Sequence, residues 1–279
     1  MRIGAHLSIA KGLDKAIDMA LKIGANTFQF FTRNPRGGSA RTIPAEEIAL
    51  FQREKAKHDQ KDIVGHLPYT VNLATPKEDL FEFACRVLKE DLRRFSEVGV
   101  EYLVTHPGAH LGTGESAGIK RLAAAIDQAF ADYDGTTMLL LETMSGRGSE
   151  IGGHLAHLGA VLNMIKYPEH VGICLDSCHL FAAGYDLRTK EGVDALVHDV
   201  QQTVGFDKVR MIHINDSAYP CGSKQDRHAN IGQGEMGLEA FANLIKAPKI
   251  AALPWLLETP QDDYRGYAQE IELLIGLKE

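Results

Sequence analysis

Cysteine is scarce in this 279-residue chain. The four present, Cys85, Cys174, Cys178 and Cys221, are too few and too scattered for a disulfide framework, so the sequence predicts a reducing cytoplasm as its location. Long apolar runs are missing too. No stretch approaches the roughly 18 residues that a membrane-spanning helix needs, and MRIGAHLS at the start does not read as a secretory signal. Positive charge is also in deficit: 30 Lys and Arg against 37 Asp and Glu give a formal net charge of −7. That balance argues against a nucleic-acid binder held by bulk positive potential. Linkers and low-complexity segments are absent, which predicts one domain over residues 1–279.

What is present is a regular alternation. Eight short β-like runs occur at Ile3–His6, Thr27–Phe31, Ile63–Leu67, Tyr102–His106, Met138–Thr143, Gly172–Ser177, Val209–Asp216 and Pro254–Thr259. Several are almost uniformly apolar, as strands buried on both faces should be. Segments of helical period lie between them. Ala16, Ile17, Ala20 and Leu21 form one stripe, ended by Gly24; Leu80, Ala84, Val87 and Leu88 form another, ended by Gly99. Leu122, Ala125, Ile126 and Ala129 form a third, and a last helix is expected from about Asp263 to Leu277. Strand then helix, eight times, predicts a single (β/α)₈ TIM barrel, with a doubly wound open sheet as the alternative.

The ends of these runs carry the chemistry. VGICLDSCHLFAAGY, Val171 to Tyr185, is a buried strand that stops on Asp176, with His179 one turn later. A buried carboxylate without a partner costs several kcal/mol. The plain reading is a helix cap; the alternative is a metal ligand, and the other strands favour it. The third ends near His66, the fourth at His106, the fifth at Glu142 and the eighth at Glu258. The seventh carries His213 and leads into Asp226-Arg227-His228. Barrel enzymes place their active sites at this C-terminal mouth. Nitrogen and carboxylate donors without a thiolate cluster suit catalytic zinc, manganese or iron. His66, His106, Glu142, Asp176, His179, His213, Asp226, His228 and Glu258 are too many donors for one ion, so two or three are implied. In an extended loop, Asp226 and His228 share an ion while Arg227 faces outward.

In chain order, GAHLS at 4–8, FTRNPR at 31–36, HLPYTVNLA at 66–74, HPGAH at 106–110 and ETMSGRG at 142–148 resemble motifs of the endonuclease IV family. LDSCHLFAAGYD at 175–186, HINDS at 213–217, DRHANIGQG at 226–234 and LLETP at 256–260 do so too, so the resemblance runs from first strand to last. It implies a zinc-dependent DNA-repair endonuclease acting on double-stranded DNA. The enzyme hydrolyses the phosphodiester 5′ to an abasic site, leaves a 3′-hydroxyl and a 5′-deoxyribose phosphate, and trims blocked 3′ ends. It also implies three Zn²⁺ per chain, with Mn²⁺ or Fe²⁺ able to replace one. His66 and His106 would hold the first, with Glu142 bridging to the second. Asp176, His213 and Glu258 would complete the second, and His179, Asp226 and His228 would hold the third. Glu142 and Glu258 are the expected catalytic carboxylates.

Three divalent ions add +6 to the formal −7, leaving −1. The charge that meets DNA then comes from metals, supplemented by Arg33, Arg36, Arg41, Arg147, Lys224 and Arg227 in mouth loops. Arg36 and Tyr69 match family positions that enter the DNA, where a wedge helps swing out the abasic nucleotide. Arg147 and Ala218 depart from the family pattern, at positions of DNA contact. A monomer without membrane association is expected.

Other signals are weaker. Gly232-Gln-Gly-Glu-Met-Gly237 fits G-x-G-x-x-G, but it follows no strand directly and Glu235 would repel a pyrophosphate. Cys174 and Cys178 read as buried inert thiols, and His154 and His157 as a solvated or interface face. His58, His170 and His198 read as surface positions. His6 and His110 are candidates for orienting a ligand or phosphate. Two other functions compete: a sugar isomerase or epimerase working around one metal with Glu142 and Glu258, and a non-catalytic DNA-binding barrel.

Overall fold

The computed structural model describes residues 1–35 and 39–278. Arg36 lies outside them. Eight parallel strands close into one barrel. They are β1 (Ile3–His6), β2 (Thr27–Phe31), β3 (Val64–His66), β4 (Tyr102–Thr105), β5 (Met138–Glu142), β6 (Val171–Asp176), β7 (Val209–His213) and β8 (Trp255–Leu257). β1 pairs with both β2 and β8, which shuts the cylinder. The main outer helices are α1 (Leu13–Lys22), α2 (Ala45–Lys57), α3 (Glu78–Val98), α4 (Glu115–Phe130), α5 (Leu155–Met164), α6 (Ser177–Ala183), α7 (Lys190–Thr203), α8 (Gly237–Lys246), α9 (Pro248–Ala251) and α10 (Tyr267–Gly276).

Two periods build this arrangement. The helices bury one stripe each: Leu13, Ala16, Ile17 and Ala20 in α1, and Leu122, Ala125, Ile126 and Ala129 in α4. Leu21 and Leu80, expected in such stripes, are exposed by 39% and 45%, because they fall at the solvent edge of the apolar face. Gly99 ends α3 in the left-handed conformation, donating to the Phe95 and Ser96 carbonyls, as its position predicts.

The strands alternate with period two. One phase faces the helices; the other forms an enclosed apolar floor of Val64, Val104, Leu140, Cys174, Met211 and Leu256 inside the barrel. Two residues beyond these six, toward the C-terminal mouth, stand His66, His106, Glu142, Asp176, His213 and Glu258. The floor therefore dictates the next layer. Between β6 and β7 the register shifts at Ile173/Cys174, and after this irregularity Asp176 lies opposite His213.

β7 and β8 stop sooner than their apolar runs suggest, at His213 and Leu257. Beyond β7 the chain turns to serve side chains: the Asn215 amide donates to Ser177 Oγ at 2.8 Å, and its carboxamide takes the Glu258 amide. Asp216–Ser217 then pairs antiparallel with His228–Ala229.

Cys85, Cys174 and Cys178 are buried and Cys221 is partly exposed. Burial pushes the first three thiols up, to about 11, 11 and 12. A thiol-reactive disulfide reagent at neutral pH is expected to label Cys221 alone in the folded protein and all four cysteines after unfolding. Rapid labelling of two or more folded-state thiols would contradict this burial.

Candidate metal centre

Glu142 sits at the centre of the mouth, 1% exposed. Its Oε2 lies 3.2 Å from His66 Nε2 and 3.3 Å from His106 Nε2. Its Oε1 lies 3.0 Å from His213 Nδ1 and 3.4 Å from His179 Nδ1. Its two oxygens thus face two different pairs of imidazoles. His213 Nδ1 is also 3.2 Å from Glu258 Oε2 and 4.0 Å from Asp176 Oδ2. On the far side, Asp226 Oδ1 is 3.2 Å from His179 Nε2 and 3.7 Å from His228 Nε2.

These contacts resolve into donor groups whose ligand atoms lie within 4.8 Å of one another. One is His66, His106 and Glu142; a second is Glu142, Asp176, His213 and Glu258; a third is His179, Asp226 and His228. Asp176, Cys178 and His228 make a further group. All nine residues singled out in the sequence meet at one mouth. Asp176 caps α6 as well, its Oδ1 accepting from the His179 amide at 2.7 Å, so the two readings of that residue are compatible.

The imidazoles are aimed from behind. His66 Nδ1 donates to the Leu67 carbonyl at 2.6 Å, His179 Nδ1 to the Thr143 carbonyl at 2.8 Å, and His228 Nδ1 to the Glu258 carbonyl at 3.3 Å. His213 Nε2 donates to Gln29 Oε1 at 2.8 Å. Each bond fixes a tautomer and turns the other nitrogen into the cluster, the usual arrangement behind ligating histidines. His228 Nε2 is buried without a hydrogen-bond partner, and His179 Nε2 faces Asp226 Oδ1 at 3.2 Å. Imidazole nitrogens so placed beside carboxylates fit divalent cations.

Gln29 and Asn215 were not singled out in the sequence. Gln29 Nε2 donates to Glu258 Oε1 at 2.6 Å and approaches His6 Nδ1 at 3.2 Å, so one carboxamide ties three site residues together. Asn215 Nδ2 donates to Asp176 Oδ2 at 2.8 Å. A glutamine inside the apolar run TFQFF is the signal that would have found the first. His6 packs on Phe31, ring centroids 4.4 Å apart. His110 serves its own loop, Nδ1 accepting from the Gly114 amide at 3.0 Å.

A cavity of about 550 Å³ opens above the cluster, lined by His66, His106, His179, Asp226, His228 and Tyr69 among others. Tyr69 is 53% exposed and stands edge-on to Phe31. Arg147 and Arg227 are exposed in their loops. Arg33 and Arg41, expected to offer charge at the mouth, are engaged within the protein: Arg33 pairs with Asp91 and Glu90, Arg41 with Glu47. Buried Asp91 draws the first guanidinium inward, since an unpaired carboxylate there would be costly. His157 also departs from expectation. It is buried at 8% exposure and accepts from the Gly152 amide at 3.2 Å.

Asp216 explains the glycine-rich run. Its buried carboxylate accepts from the amides of Ser217 at 2.7 Å and of Gly232, Gly234 and Met236, each at 3.0 Å. The amides that a dinucleotide phosphate would need are thus committed to an internal anion. A Cβ at Gly234 would lie 2.5 Å from Asp216 Oδ1 and 2.3 Å from the Ser217 carbonyl, which is why glycine stands there.

Burial disfavours charge on His179, yet Asp176, Asp226 and Glu142 outweigh it and hold the imidazole well above its usual 6.5. Burial likewise opposes charge on His213, and Glu258 and Glu142 help raise it well above that value. Burial pushes Glu142 up, but His213 and His106 more than offset this and hold it well below the carboxylate range. Glu258 is depressed against its burial, chiefly by His213.

The family model described as xylose isomerase-like TIM barrel matches residues 17–277, so the chain belongs to that barrel class. Within the class it belongs to the endonuclease IV family. It is 48% identical to "Probable endonuclease 4" of Moorella thermoacetica over 100% of this chain and 99% of the relative, and 46% identical to that of Heliobacterium modesticaldum over 95% and 96%. Among solved structures it resembles endonuclease IV from Thermus thermophilus, with TM-score 0.87 and 29% identity over 99% of this chain and 98% of that one. A D-tagatose 3-epimerase-like protein shares the fold alone, with TM-score 0.73 and 17% identity over 99% and 97%.

Gln29→Leu is expected to weaken metal affinity by about 10–100-fold, measured by competition with a chromogenic chelator; unchanged affinity would contradict the carboxamide's role. In the metal-free protein, the raised His179 and His213 contribute stability that is complete below about 6.5 and lost as pH rises through their folded values. The depressed Glu142 contributes stability present above about 4.5 and lost as pH falls through its folded value. The chelated protein should therefore melt at lower temperature as pH is raised above neutrality. The stabilisation added by zinc should grow over the same range, because metal displaces those protons. Parallel trends in the two forms would count against the assignment.

Proposed function

We propose that this chain is a cytoplasmic, monomeric DNA-repair hydrolase that cuts the phosphodiester 5′ to abasic sites in double-stranded DNA and trims blocked 3′ ends, using three zinc ions. The observation that carries this reading is the set of three donor groups meeting at one mouth, the first two sharing Glu142. His66 and His106 would hold one ion with Glu142. Asp176, His213 and Glu258 would hold the second with the same carboxylate, and His179, Asp226 and His228 the third. Mn²⁺ or Fe²⁺ is an alternative occupant of one site.

When bound, such ions acidify a water to a nucleophile near neutral pH and neutralise charge that develops on the phosphate. The chain's own residues then set the geometry. Glu142 fixes the spacing of the first two groups. Gln29 and Asn215 lock Glu258 and Asp176 so that neither carboxylate swings toward the substrate. Tyr69 and Arg36 are assigned to the duplex, as groups that enter the stack beside the abasic site. Arg147 and Arg227 meet the phosphates. A nucleotide without a base has less stacking to lose on extrusion, which favours the damaged site.

An epimerase would use Glu142, Asp176, His213 and Glu258 around one ion, leaving His66, His106, Asp226 and His228 without a task. A duplex carrying one tetrahydrofuran abasic analogue separates the readings. The zinc-loaded protein is expected to cut it 5′ to the lesion, to carry about three zinc ions by elemental analysis, and to leave ketoses unchanged. Ketose turnover with intact DNA would overturn the nuclease reading. Glu142→Gln is expected to abolish cleavage while largely sparing duplex binding in a gel-shift assay; a near-normal rate would remove Glu142 from its bridging position.

A further inference from the structure

Cys178 is the second residue of α6 and is fully buried. The nuclease reading gives it no work. Its thiol lies 3.7 Å from the Arg227 carbonyl, a long, weak contact. Yet Asp176, Cys178 and His228 each offer a ligand atom within 4.8 Å of the other two. Among the described residues, the other three donor groups contain nitrogen and oxygen alone, and this is the one that a thiol enters.

We propose that Asp176, Cys178 and His228 form an overlapping, competing binding site for soft, thiophilic cations, of which cadmium is the test case. The reasoning is one of ligand softness. Imidazole and carboxylate sets suit zinc, manganese and iron, whereas a thiolate shifts preference toward softer ions. His228 is already oriented for such a role: its Nδ1 points to the Glu258 carbonyl, and its Nε2 is buried without a hydrogen-bond partner, 3.9 Å from Asp176 Oδ2. On binding, the S–H bond breaks, a sulfur–metal bond forms and the proton leaves to solvent. No electrons are transferred and no co-reactant is needed.

The site has a consequence for the centre beside it. Asp176 also belongs to the group with Glu142, His213 and Glu258, and His228 to the group with His179 and Asp226. A soft ion held by the thiol therefore withdraws one donor from each of two neighbouring groups. This part of the inference rests on the proposed hydrolytic role of those groups; the site itself rests on donor geometry.

The test titrates cadmium chloride into chelator-treated protein and follows the ultraviolet thiolate-to-cadmium charge-transfer absorbance. The wild-type chain is expected to develop the band, and Cys178→Ser and Cys178→Ala to lack it. No band in the wild type, or the same band in both variants, would overturn the proposal. His228→Gln keeps the thiol and is expected to weaken cadmium binding by at least about tenfold; unchanged binding would remove His228 from the site. In the zinc-loaded protein, cadmium should suppress abasic-duplex cutting at concentrations that leave Cys178→Ser active, and equal sensitivity would overturn the inhibitory consequence. Failure of the cadmium-free wild type to cut that duplex would overturn the nuclease reading instead, and the absorbance result would stand apart from it.

Discussion

A single buried carboxylate surrounded by imidazoles is the constraint on which the mouth of this barrel depends. Glu142 lies within 3.4 Å of nitrogens from His66, His106, His179 and His213, which arrive from two strands, the residue just past a third, and one helix. Alone in such a place a carboxylate would cost several kcal/mol. Positive charge must therefore be supplied, either by protons on the histidines or by cations among them. The same geometry that raises His179 and His213 and depresses Glu142 makes the cluster exchange protons for metal, so folding, protonation and metal binding are linked equilibria at one point.

The barrel makes this concentration of charge tolerable. Val64, Val104, Leu140, Cys174, Met211 and Leu256 seal the interior below, and the residue two places further along each strand is lifted to the mouth. Because side-chain direction repeats every second residue, an apolar floor and a polar layer above it follow from one register. The register irregularity between β6 and β7 brings Asp176 and His213 side by side, so a local departure from regular pairing serves the site.

This layering explains what the sequence made legible. His66, Glu142 and Asp176 at strand ends, and Glu258 just past one, were visible because each follows an apolar run, and the eight runs revealed the barrel. Residues that act through others left fainter marks. Gln29 lies within an apolar strand, and two of its three partners, Glu258 and His213, are more than 180 residues away along the chain, so only closure of the cylinder reveals its work. Arg33 looked like a free cation near the mouth, because its partner Asp91 is hidden on the buried face of α3. His157 read as solvated because the group it accepts from, the Gly152 amide, is backbone and has no signature in the sequence. Strand ends at β7 and β8 were overestimated for a related reason: Ile214 and Thr259 are buried by the turns beyond the strands, so apolarity continues where pairing does not.

The third donor group poses a different mechanical problem from the other two. Asp226 and His228 come from a long connection rather than from a barrel strand, and a ligand pair on a loose loop would give up affinity to conformational entropy. The chain meets this with a second buried carboxylate, Asp216, which gathers four backbone amides and binds the glycine-rich segment 232–236 to the start of the hairpin that carries His228. A nest of amides that elsewhere would receive a phosphate is here filled from within. The motif is thus better understood as an anchoring device than as a nucleotide site. Gly234 is required by the closeness of the Asp216 carboxylate, and the position of His228 depends on an anion that itself touches no substrate.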